Sequence, residues 1–84
     1  MFSVPQREAA AEACADGLAM TFAPMLDVAR DPRWGRIAEG PGEDPWVAER
    51  LAEAKVRGFQ GGGPGTDLSA DRTLAACAKP FCAY

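Results

Sequence analysis

Between two apolar segments of this chain lies the run RDPRWGRIAEGPGEDP, residues 30–45, which limits the fold more than any other stretch. Pro32, Gly35, Gly40, Pro41 and Gly42 exclude a regular helix, because proline removes a backbone donor and glycine costs the most conformational entropy to order. Arg30, Arg33 and Arg36 recur at every third residue, yet no helix can turn them into one charged face. The run reads as an ordered loop. A loop that carries Trp34 and three guanidinium groups is built to position side chains, since a plain connection needs neither.

The rest of the chain has an ordinary globular balance. It is 84 residues long and 48% hydrophobic, with 9 Lys plus Arg against 12 Asp plus Glu and a net charge of -3. That acidity, with basic residues interleaved among acids, argues against nucleic acid or an anionic membrane as a partner. No apolar run approaches the roughly 18 residues of a membrane span. The N-terminus shows neither a basic region nor an apolar core of a signal peptide, so nothing in it assigns a compartment, and a periplasmic or secreted parent stays open. A chain of this length buries only about 60% of its unfolded surface, so a fold made alone is expected to be marginal. The apolar ending PFCAY, with no cap or polar tail after it, suggests a cut sequence.

Cys14, Cys77 and Cys82 are an odd set without C-x-x-C spacing, and the chain contains no histidine. No metal and no cofactor are expected from them. Their alanine-rich surroundings suit three free thiols buried as small hydrophobes.

Residues 5–17, PQREAAAEACADG, are expected to form a helix with Pro5 near its start and Gly17 at its end. A short buried strand is expected over residues 20–24, where Pro24 bends or ends it. After the loop, Asp44 and Pro45 supply an N-cap and first helical residue. Val47, Leu51 and Ala54 then continue at helical spacing, giving a helix over about residues 45–59. GGGPG, residues 61–65, is a turn or connection. It follows a helix and has no lysine, which argues against a phosphate cradle. The final segment supports two readings: a helix capped by Ser69 and stopped by Pro80, or a short strand near residues 74–79. With the strand, the order helix-strand-helix-strand is that of a parallel α/β sheet.

At residues 21–61, TFAPMLDVARDPRWGRIAEGPGEDPWVAERLAEAKVRGFQG, and again at LAACAKPFCAY, the chain closely resembles the N-terminal domain of family-3 glycoside hydrolases, the β-glucosidase and β-xylosidase type. The resemblance covers nearly the whole chain. It implies an α/β fold that is an incomplete slice of a (β/α)8 barrel, about two helix-strand units, since a whole barrel takes about 250 residues. Residues 1–84 would then be part of that catalytic domain and not an autonomous one. Both sheet edges would be open and the apolar faces of both helices uncovered.

The resemblance further implies retaining hydrolysis of a β-linked oligosaccharide or glycoside by two carboxyl groups about 5 to 5.5 Å apart. In the family those groups come from later segments, so no catalytic residue is expected in this chain. The arginine of the WGR step, Arg36, would hydrogen-bond the non-reducing terminal sugar, a task suited to a guanidinium fork. The alternative for Arg36 is a tie to Glu39, Glu43 or Asp44. Lys79 would be the second sugar ligand, where the family has Lys-His-Phe and this chain reads Lys79-Pro80-Phe81. Pro80 cannot make the histidine's contact. Arg30 and Arg33 are expected to brace the loop, as are Asp27, Asp31, Glu39 and Glu43, with Asp44 as the helix cap. A second class of function stays open beside the hydrolase piece: a non-catalytic remnant, or a small carbohydrate-binding or interaction module.

Overall fold

The computed structural model describes residues 4–61 and 72–80. It has two helices, α1 (Val4–Ala15) and α2 (Pro45–Gln60), and two short strands, β1 (Met20–Thr21) and β2 (Ala75–Ala76), in the order α1-β1-α2-β2. The chain leaves α1 through Gly17 at φ 89, a left-handed turn that glycine adopts without a Cβ clash. α2 begins where Asp44 Oδ1 accepts from the Trp46 amide at 2.9 Å with Pro45 behind it, and Gly61 closes it at φ 92. Asp44→Ala should cost about 1 kcal/mol of local stability. The check is amide exchange, which should speed up about fivefold at Trp46.

β1 and β2 are parallel, with Met20 opposite Ala75 and Thr21 opposite Ala76. The pairing runs beyond these residues. Cys77 N donates to Ala23 O at 2.8 Å, Lys79 N to Pro24 O at 3.1 Å and Leu26 N to Lys79 O at 2.8 Å, with Met25 and Lys79 bridged. The partner of Met20 is fifty-five positions on and that of Met25 fifty-four, so β1 carries one extra residue in between, as in a bulge. The buried strand expected over residues 20–24 is shorter and partly exposed: β1 ends at Thr21, before Pro24, and pairing resumes at the Met25–Lys79 bridge.

Of the two readings of the final segment, residues 72–80 take the strand. The helix reading is corrected there: the alternate amides of Ala75, Cys77 and Lys79 bond to the carbonyls of Ala19, Ala23 and Pro24, which flank β1, and those of Leu74 and Ala76 bond on the other side to Phe59 O and Gln60 Oε1. Ser69 and the glycine run after Gly61 lie outside the described residues.

The buried helical residues are all small, Ala10, Ala48 and Gly58, which lets α1 and α2 pack closely on one another and α2 on β2. Pro24, Met25, Thr73 and Leu74 are the other buried residues among those described. The expectation of uncovered helices and two open sheet edges is therefore corrected in part, because the helices cover one another and Gln60 meets the far side of β2. One face does stay bare: Met20 is 55% and Phe22 76% exposed, while Thr21 and Ala23, which alternate with them, are half-buried. The thiols of Cys14 and Cys77 are free but only half-buried, short of the full burial expected, and Cys82 lies outside the described residues. No helix among the described residues is long and apolar enough to cross a membrane.

Candidate functional site

The loop from β1 to α2 is a chain of tight turns. Trp34 N bonds to Asp31 O and Ile37 N to Trp34 O, and Ala29 N to Gly42 O ties the loop's base together. Gly42 sits at φ 107, a position that favours glycine. Arg33 donates Nε and Nη2 to Asp31 at 3.0 and 2.8 Å, and its own amide also bonds to Asp31. Arg33 and Asp31 thus brace the loop as expected, and the Arg33 bonds hold the Asp31 carboxyl below its ordinary range.

A 3-10 turn, Ile37–Glu39, follows Arg36. In such a turn side chains three residues apart nearly eclipse, which lays the Glu39 carboxylate under the Arg36 fork. Arg36 donates Nε to Glu39 Oε2 at 2.6 Å and Nη2 to Oε1 at 3.0 Å. Of the three ties considered for Arg36, the one to Glu39 forms. Lys79 Nζ lies 3.5 Å from the same Oε1. The two cationic residues singled out in the sequence, far apart along the chain, therefore converge on one carboxylate at the C-terminal end of the strand pair.

Beside them is an open cavity of about 310 Å³, lined on its apolar side by Phe22, Pro24, Met25 and Phe59 and on its polar side by Gln6, Lys55, Glu39 and Lys79. Lys79 borders it directly. Arg36 is not among the lining residues and reaches the cavity's edge through Glu39. Sequence reading missed Gln6, Lys55 and Phe59, which carry no local signal and come to the cavity only through helix packing. Gln6 Oε1 is buried there without a partner among the described residues, as is Asp27 Oδ2. Asp27 is half-buried after β1, and its Oδ2 makes no bond to the loop it was expected to brace.

Glu39 is the strongest electrostatic feature. The Arg36 hydrogen bonds, with smaller help from the charges of Arg36 and Lys79, hold its carboxyl at about 2, down from the ordinary 4.5. A carboxyl depressed by folding favours the folded arrangement above its unfolded value and loses that contribution as pH falls through the folded one. The Arg36–Glu39 contact should therefore be intact at pH 5 and released only as pH drops toward 2. A carbon-detected NMR titration of the Glu39 carboxyl checks this, and a midpoint near 4.5 would contradict it.

Parallel strands, a helix pair of which α2 meets β2, and a polar cluster at the strands' C-terminal ends define an α/β protein with its candidate site where such folds carry their chemistry. The sequence profile of the glycosyl hydrolase family 3 N-terminal domain matches residues 6–84, and the chain belongs to that family. It is 48% identical over 79 residues to the periplasmic beta-glucosidase of Salmonella typhimurium, covering 93% of this chain and 10% of that protein. It is 48% identical over 63 residues to beta-D-xylosidase 1 of Arabidopsis thaliana, covering 75% of this chain and 8% of that protein. Among solved structures, a mutant beta-glucosidase from Listeria innocua in complex with laminaribiose matches with a TM-score of 0.84 and 46% identity, over 93% of this chain and 11% of that one. The chain thus spans about a tenth of the length of the relatives it matches.

Proposed function

We propose that residues 1–84 form part of the catalytic barrel of a retaining β-glycosidase and contribute one side of the pocket for the substrate's terminal sugar. Arg36 and Lys79 are its sugar ligands, and the substrate is a β-linked glucoside or a related β-glycoside. The observation that carries this reading is the convergence of Arg36 and Lys79 on Glu39 at the C-terminal strand ends. Active sites of (β/α)8 barrels sit at that face, and charged donors gathered there suit a ring of sugar hydroxyls.

The barrel slice is supported by the bare strand face. Met20 and Phe22 leave apolar side chains exposed, which further strands of a barrel would cover. The two helix-strand units are a quarter of that architecture, and they are not an autonomous domain. The laminaribiose held by the Listeria relative supports a β-glucoside as the substrate class.

A graft tests the reading. Residues 6–84 replace the matching segment of a family β-glucosidase, and hydrolysis of an aryl β-glucoside is measured. Lys79→Met should raise KM about tenfold, the loss of one charge-assisted hydrogen bond. Unchanged kinetics in both Lys79→Met and Arg36→Met would refute the sugar-ligand roles. Pro80 favours the other reading, a non-catalytic product, since it leaves the pocket without the contact that a histidine side chain makes. A graft that hydrolyses with Pro80 in place would argue against it.

A further inference from the structure

We propose that Glu39 is a positioning residue of the sugar site, a shared anchor that fixes where both Arg36 and Lys79 point. This rests on the reading of those two residues as sugar ligands. Arg36 stands in the loop after β1 and Lys79 at the end of β2, so no local geometry relates them. Each has a long side chain with much rotamer entropy to lose, and two cations gathered at one pocket edge repel each other. One carboxylate between them answers both problems.

The contacts are divided to that end. Glu39 takes the Arg36 fork on both oxygens, Oε2 at 2.6 Å and Oε1 at 3.0 Å, a parallel pairing that sets the plane of the guanidinium. It also presents Oε1 to Lys79 Nζ at 3.5 Å. The Lys79 backbone is held independently, because its amide bonds to Pro24 O and its carbonyl to Leu26 N, so only the side chain is left for Glu39 to orient. Glu39 and Lys79 share the cavity lining with Phe22 and Met25, which puts the anchor at the pocket wall itself. Its depressed carboxyl keeps it anionic throughout the range in which a glycosidase works.

The same graft tests this, now with Glu39→Gln, Glu39→Asp, Lys79→Met and the Glu39→Gln/Lys79→Met pair. Glu39→Gln should lower kcat/KM of the aryl β-glucoside about 10²-fold, as a misplaced binding group does. The loss should fall on KM, with kcat and the thermal midpoint little changed. Glu39→Asp, which keeps the charge, should recover part of it. The double variant should be little worse than the more severe single one, because the two residues act as a unit.

Losses in Arg36→Met and Lys79→Met with normal kinetics in Glu39→Gln would overturn the anchor and leave the sugar ligands standing. Losses of Glu39→Gln and Lys79→Met that multiply in full would also overturn the anchor. Unchanged kinetics in Arg36→Met and Lys79→Met would overturn both proposals. An independent reading comes from the graft, where Glu39→Gln should move the NMR signals of Arg36 Nε and Lys79 Nζ together. A Lys79 Nζ signal that stays in place would overturn the anchor without any activity being measured.

Discussion

The 84-residue chain by itself should give no turnover of an aryl β-glucoside above an empty-vector control. Retaining hydrolysis needs one carboxylate free to attack the anomeric carbon and a second carboxyl protonated near neutral pH to release the leaving oxygen. Three of the acids, Glu39, Asp31 and Asp44, are engaged otherwise. Glu39 is held at about 2 by Arg36, which disqualifies it as an acid near neutrality. Asp31 is bound by Arg33 and shifted in the same direction. Asp44 Oδ1 accepts from the first turn of α2. A Glu39 whose carboxyl must stay ionised to hold two cations cannot also lend a proton. Measurable turnover, abolished by changing any of these acids, would show that the loop does more than bind.

The second large effect is expected from Arg36. In the grafted β-glucosidase, Arg36→Met should lower kcat/KM about 10²-fold, because hydrogen bonds from a charged donor are worth about 1.5–3 kcal/mol each and the pocket edge loses its fork. Arg36→Lys should recover little. Lysine offers a point charge on a flexible stem, and neither the two-point contact with Glu39 nor the planar spread of donors is reproduced. Recovery by lysine to near the parent rate would mean that charge alone matters at this position, and the fork geometry would lose its significance.

The two variants also separate binding from folding. Arg36 and Glu39 side chains are both about half exposed, and surface ion pairs contribute little to stability. A fall in the thermal midpoint of the graft large enough to explain lost activity would point to the loop's fold instead of its contact with sugar.

Much of the local structure was legible in the chain. Asp44-Pro45 marked the start of α2 because a side-chain acceptor and a fixed φ are what the first turn needs, and Gly17 marked the exit from α1 because its φ is closed to most residues. The braced loop was legible too, since Pro32, Gly35, Gly40 and Gly42 leave a regular helix no room. The family followed from the residues of that loop and the segment around Lys79, matched over residues 6–84.

The final segment was not legible from its own residues. LAACA has the composition of a helix, and only tertiary structure made it a strand, by offering carbonyls of the segment around β1 on one side and Phe59 and Gln60 on the other to take its amides. The cavity was hidden for the same reason, as Gln6, Lys55 and Phe59 are ordinary helix residues until α1 and α2 pack. Sequence alone determined where the chain could turn, where α2 begins and which cations to watch, because backbone sterics and capping act within a few residues. The meeting of Lys79 with Glu39 was decided by the tertiary fold, because parallel pairing of β2 on β1 brings together groups that no local rule connects.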